Sequence, residues 1–95
     1  MATVNITPDA QEQFEALQLP IQARVLEVFA RLEQWPTISG VKWLSGGYAG
    51  SARIRTGDFR VVFKVTTVQA KKQGNAIDYT VLVWKIGDRR DVYLD

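Results

Sequence analysis

Two periodicities divide this chain. In its first part the apolar positions recur at helical spacing: Ala10, Phe14 and Leu17 fall on one stripe, and Ile21, Val25, Val28 and Leu32, with Leu26 and Phe29 beside them, form another. Ahead of the first stripe, Thr3 to Ile6 predicts a short strand. Thr7-Pro8-Asp9 then has the form of an N-cap, a proline at the first helical position and an acid in the first turn. Leu19-Pro20 interrupts the pattern and restarts it, because proline is accepted in a first turn but not inside a helix. The second helix is predicted to end near Trp35-Pro36, so the pair forms an antiparallel helix hairpin.

From Val41 onward the period shortens to two, with strand-like runs at Ser51 to Thr56, Phe59 to Thr66 and Tyr79 to Ile86. Gly57-Asp58 separates the first two runs and predicts a two-residue hairpin turn, since glycine takes the positive φ that a type II′ turn needs at its first central position. The polar stretch Ala70 to Asn75 reads as a mobile connection. The expected fold is a single α+β domain over residues 1–95. In it, an N-terminal short strand and an antiparallel helix hairpin pack on a C-terminal antiparallel β-sheet.

The hairpin turn fixes a register in which Thr56 faces Phe59, Arg55 faces Arg60, Ile54 faces Val61 and Arg53 faces Val62. Ile54, Val61, Phe63 and Val65 then alternate out of phase with Arg53, Arg55, Arg60 and Lys64. One face of the sheet is left to pack on the helices while the other displays four cations. Like charges directly opposite each other weaken a strand pair by up to roughly 1 kcal/mol, so a sequence under no other demand seldom keeps Arg55 across from Arg60. Arginine offers a planar fork of donors that suits phosphate, and three of them on one face read as a phosphodiester-binding surface. The plain alternative is a solvated outer face whose charges serve solubility and edge protection.

Composition narrows the chemistry. With 95 residues, 46% of them hydrophobic and 23% charged, the chain suits one folded domain. It has no cysteine and no histidine, which removes disulfides, thiolate metal sites, cysteine nucleophiles and the commonest general base. No apolar run reaches membrane-spanning length and the N-terminus lacks a signal-peptide layout, so a cytoplasmic location and no membrane partner are expected. The charge is unevenly placed. Residues 1–40 carry two arginines against five acids, net −3, while residues 41–95 carry ten lysines and arginines against five aspartates, net +5. The second half is therefore the one expected to face an anionic partner.

Beyond the third strand, Ile86-Gly87-Asp88-Arg89-Arg90-Asp91-Val92-Tyr93 places two more arginines and a tyrosine after a glycine. Together with Ala52-Arg53-Ile54-Arg55-Thr56-Gly57-Asp58-Phe59-Arg60-Val61-Val62-Phe63, this segment resembles the paired signature of the RelE/ParE toxins of type II toxin–antitoxin systems. The resemblance spans roughly Thr3 to Tyr93, including the two helices and a glycine-rich approach at Trp43 to Gly50. It implies a RelE-like toxin neutralised by a cognate antitoxin and directed at mRNA in the ribosomal A site. The implied reaction is metal-independent and needs no cofactor: the ribose 2′-hydroxyl attacks the scissile phosphate and leaves a cyclic phosphate and a 5′-hydroxyl. By the same resemblance Arg53, Arg55, Arg60, Arg89 and Tyr93 hold the mRNA. Arg60 and Arg89 are expected to stabilise charge on the phosphate oxygens. Lys64 and Arg90 are expected to add phosphate contacts. Arginine is too basic to take a proton, which leaves the Tyr93 phenol as acid or base, as a stacking ring, or as a plain C-terminal anchor on the sheet.

Two departures from the family pattern matter. Several members carry lysines where this chain has Arg53 and Arg55, and many have a histidine where this chain has Asp88. A ParE-like inhibitor of DNA gyrase, or a catalytically weak RNA-binding relative, therefore stands beside the ribosome-dependent endoribonuclease. Trp35, Trp43 and Trp84 read as core side chains rather than base-stacking ones. Asp88 and Asp91 read as local partners of Arg89 and Arg90 rather than a metal pair. Gly46-Gly47 lacks a P-loop frame and reads as a turn or flexible rim.

Overall fold

The fold is built on the order β1 (Thr3–Ile6), α1 (Pro8–Glu15), α2 (Leu19–Leu32), β2 (Val41–Trp43), β3 (Ala52–Thr56), β4 (Phe59–Gln69) and β5 (Ile77–Asp88). A 3₁₀ turn at Gly46–Tyr48 stands between β2 and β3. These elements come from a computed structural model, which describes residues 2–69, 77–90 and 92. Ala70 to Asn75, Asp91 and Tyr93 lie outside the described residues, and with them the expected mobile connection and the expected tyrosine.

Local chemistry sets the helices. Thr7 Oγ1 accepts the Ala10 N–H at 3.2 Å, and Pro8 occupies the first turn of α1. Leu17 and Gln18 alone separate the turn after α1 from α2, and Gln22 closes that junction. Its Nε2 donates to the carbonyls of Phe14 and Leu17, both at 3.1 Å, and so adds a side-chain donor at the helix end, where the Phe14 carbonyl also accepts the Leu17 N–H. Phe14 and Phe29 meet across the hairpin with ring centroids 6.0 Å apart. The second helix stops at Leu32, and turns carry the chain through Trp35.

The sheet has five strands in the order β1-β5-β4-β3-β2. All neighbours are antiparallel except β1, which lies at one edge and pairs parallel to β5, from Thr3 beside Thr80 to Ile6 beside Val83. The sheet is therefore mixed, because its short first strand joins the edge rather than standing apart. The second edge strand is β2. At three residues it is shorter than any of the strand runs that the pattern marked.

One face of the sheet meets the helices. Ala52, Ile54, Val61, Phe63, Val81, Val83 and Ile86 pack there with Ala10, Val25, Val28 and Leu32. Trp35 joins this core and packs edge-on to Phe63 with centroids 5.7 Å apart. Trp43 is 58% exposed, against the expectation that it is core.

The other face carries a second, smaller cluster. Leu44, Val62 and Val92 are buried there, with Tyr48 and Trp84 packed against them. A β-bulge produces part of this arrangement. Val62 pairs with Lys85 and Phe63 with Val83, so Trp84 is the extra residue on β5. Trp84 thus lies on the opposite face from the main core, where its indole N–H donates to the buried Ser51 Oγ at 3.0 Å.

Candidate nucleic-acid interface

The β3–β4 hairpin forms with the register the sequence dictates: Thr56 opposite Phe59, Arg55 opposite Arg60, Ile54 opposite Val61 and Arg53 opposite Val62. Gly57 has φ +62° while Asp58 is not in the positive-φ region, as a type II′ turn requires. Residues directly opposite in an antiparallel pair share a face. Two cross-strand rows consequently lie on the face away from the helices. One contains Arg55, Arg60 and Gly87; the other contains Lys42, Arg53, Val62 and Lys85. Two residues along a strand, or about 7 Å, separate the rows.

The cations of these rows are not equally open. Arg55 is exposed and Arg53 is half-buried, with an Nη1 contact of 3.5 Å to the Gly40 carbonyl. Arg60 is only 7% exposed, and its Nη1 donates to the Asp58 carbonyl at 2.9 Å. The uniformly solvated row of four cations expected from alternation is therefore replaced by exposed charges around one buried arginine. Lys64 is exposed and holds its Nζ 5.6 Å from the centroid of the Trp84 ring. Tyr48 packs against the same indole, with centroids 5.5 Å apart and planes tilted by 31°.

The C-terminal arginines arrive at the turn end of the hairpin. The Arg89 N–H donates to the Asp58 carbonyl at 3.0 Å, which ties the end of β5 to the turn. Arg89 itself is exposed. Arg90 is held by Asp88: its backbone N–H reaches Oδ1 at 2.8 Å and its Nη2 reaches Oδ2 at 2.9 Å. That ion pair matches the local pairing expected of Asp88. A shallow pocket of about 230 Å³ opens here, lined by Asp58, Asp88, Arg89 and Arg90. A larger cavity of about 810 Å³ lies away from these cations, between β1 and the helices, and its lining mixes apolar residues such as Val4, Phe14 and Phe29 with polar ones such as Asn5, Gln11 and Glu33.

The structure thus gathers Arg55, Arg60 and Arg89 at the turn end of the sheet, with Arg53 one row away and Lys64 beyond the aromatic cluster. Tyr93 is outside the described residues. Reading the sequence alone missed Lys42, Lys85, Tyr48 and Trp84 as members of this face. A signal for Trp84 and Lys85 existed. Val81 and Val83 set an inward phase that Ile86 breaks by one residue, which is the mark of a bulge.

No family model matches the sequence, and no characterised protein sequence matches it. Solved structures do. The chain is similar to a chain of the RelBE2 toxin–antitoxin complex of Mycobacterium tuberculosis at 25% identity, covering 93% of this chain and 98% of that one, with a TM-score of 0.69. It is also similar to the isolated RelE toxin of E. coli, at 14% identity over 98% of this chain and 92% of that one, with a TM-score of 0.65. A chain of the RelB–RelE complex of Methanococcus jannaschii matches at 14% identity over 94% of each chain, with a TM-score of 0.61. The RelE-like fold implied by the hairpin and C-terminal motifs is the fold observed.

Proposed function

We propose that this chain is the toxin of a RelBE-type toxin–antitoxin pair and that it cleaves mRNA on the ribosome. The observation that carries the reading is that the Arg60 guanidinium and the Arg89 backbone N–H share the Asp58 carbonyl while Arg55 stands directly opposite Arg60, which puts the three arginines at one end of a RelE-like sheet. A scissile phosphate placed there meets fixed positive charge where negative charge grows in the transition state, and fixed charge needs no reorganisation as the reaction proceeds. In this reading the ribose 2′-hydroxyl attacks phosphorus, the P–O5′ bond breaks, and a cyclic phosphate and a free 5′-hydroxyl result. The exposed side chains Arg55 and Arg89 make the direct contacts. Arg60, almost wholly buried, contributes its charge from beneath while holding the turn. Tyr93 is the group proposed to move the proton, and Arg53, Lys64 and Arg90 are proposed to bind flanking phosphates.

The antitoxin partner belongs to the same proposal, since toxin–antitoxin complexes of M. tuberculosis and M. jannaschii contain the similar chains. An acidic antitoxin segment over the arginine face would make the complex sensitive to salt.

The test is a cell-free translation reaction with purified chain, in which new mRNA 5′ ends are mapped by primer extension. New ends inside translated codons are expected, absent without ribosomes and absent with Arg89→Ala. Arg89 makes the cleaner control because its side chain is exposed. Folded protein that yields no ends overturns the nuclease reading and turns attention to DNA gyrase supercoiling.

A further inference from the structure

We propose that Lys42 and Lys85 are ribose-phosphate contacts that carry the RNA-binding surface across the full width of the antiparallel strands. The proposal rests on the RNA reading above and extends it to residues outside the arginine hairpin. Lys42 on β2 is the direct partner of Arg53 on β3, Arg53 of Val62 on β4, and Val62 of Lys85 on β5. The row therefore runs perpendicular to the strands over three strand spacings, about 14 Å, with a cation at each end and Arg53 between them. A charge line of that length follows a strand of nucleic acid rather than gripping one phosphate.

Lys85 owes its place to the bulge. Simple alternation after Val81 and Val83 would turn residue 85 toward the helices and residue 86 away from them. Because Trp84 is the extra residue, Lys85 faces outward beside Val62, and Ile86 enters the core at 4% exposure. Bulges are a device for re-aiming a side chain, and here the re-aimed residue is a cation.

A lysine on an edge strand guards that edge from pairing, and both lysines stand where a strand has one neighbour: Lys42 on β2, and Lys85 beyond Val83, where the pairing of β5 with β1 ends. Edge protection does not explain the cation between them, because Arg53 on β3 is paired on both sides. Neither lysine has an ion-pair partner among the described residues. Lys42 opposite Arg53 repeats the like-charge pairing of Arg55 with Arg60 in the adjacent row, and each such pair works against the sheet. Lys42 and Lys85 bracket the second of these rows, and a polyanion lying along it meets both. Tyr48 and Trp84 lie among these cations, and aromatic rings interleaved with positive charge are what single-stranded RNA engages.

The experiment measures binding of a short fluorescent oligouridylate to the full chain by anisotropy across a series of KCl concentrations. For single strands each phosphate contact contributes roughly 0.7 to the slope of log affinity against log salt. Lys42→Gln with Lys85→Gln is expected to lower the wild-type slope by about 1.4, each single variant by about 0.7, and the Lys→Arg pair by nothing. Circular dichroism melts establish that each variant is folded, and the exposed Lys42→Gln serves if the double variant is not. A wild-type slope in folded Lys→Gln variants overturns the inference and leaves the nuclease reading standing if the wild type still cuts mRNA. Wild-type protein that neither binds the oligonucleotide at low salt nor cuts mRNA overturns both.

Discussion

Arg60 and Arg89 meet at one oxygen. The Asp58 carbonyl accepts the Arg60 guanidinium at 2.9 Å and the Arg89 backbone N–H at 3.0 Å. A single turn residue therefore fixes both the buried cation of the hairpin and the point where the chain leaves β5. Arg60→Ala is expected to remove a charge-assisted bond worth roughly 1.5–3 kcal/mol and to loosen Arg89 with it. Urea unfolding of this variant checks the first effect, and loss of mRNA cleavage checks the second.

Arg55 should behave oppositely in stability. It stands directly across from Arg60, so Arg55→Gln relieves a like-charge pair and is expected to leave the fold unchanged or to stabilise it by up to about 1 kcal/mol. RNA binding should fall nonetheless. A variant that melts higher and binds more weakly would show that the charge is kept for its partner. One that is destabilised would show that Arg55 is structural.

Ser51 is fully buried and accepts the Trp84 indole N–H at 3.0 Å. Ser51→Ala strands that donor, at an expected cost of about 1–3 kcal/mol. Because the bond fixes the indole against which Tyr48 and Lys64 pack, the variant should also change Trp84 fluorescence in the folded state. Trp84→Phe, which removes the donor as well as the bond, should cancel most of the penalty of Ser51→Ala in a double-mutant cycle.

Gln13 links the layers. Its Oε1 accepts the Ile86 N–H at 2.7 Å, immediately beyond the bulged residues. Gln13→Ala is expected to cost about 1–3 kcal/mol, with Gln13→Glu retaining most of the stability because an acceptor remains. Faster amide exchange at Ile86 in the alanine variant, and not at Val81, would locate the effect.

Gly57 holds φ +62°, and a Cβ built there would come within 3.2 Å of Arg24 Nη1. Gly57→Ala should destabilise the hairpin by about 1–3 kcal/mol, and Gly57→Asn by less, since asparagine is among the residues that primed turns accept beside glycine. Equal losses for the two would point to the Arg24 contact instead of the backbone.

The parts of this fold that were legible in the sequence are those fixed by neighbours in the chain. Thr7-Pro8 announces α1, Leu19-Pro20 announces α2, and Gly57-Asp58 determines every pair of the β3–β4 hairpin. What was not legible depends on distant contacts. Nothing local tells Thr3–Ile6 to pair parallel with β5, and β2 is too short to show a period. The bulge left a trace in the order Val81, Val83, Ile86, but alternation over so few residues does not separate a bulge from a strand end. Arg60 was placed on the correct face, yet its burial depends on where the end of β5 and the turn meet. That information is not in the hairpin.

Both helices cover the same face of the sheet, and this gives the molecule a polarity through its thickness. Residues 1–40, which supply the helices, carry net −3, and residues 41–95, which supply four of the five strands, carry net +5. Near a polyanion such a body experiences a torque as well as an attraction: its helical side is repelled while its arginine-bearing side is drawn in. Encounters are thus oriented before any contact forms, and the fraction of collisions that arrive arginine side first exceeds what random tumbling would give. This advantage in association rate fades as added salt shortens the reach of the field.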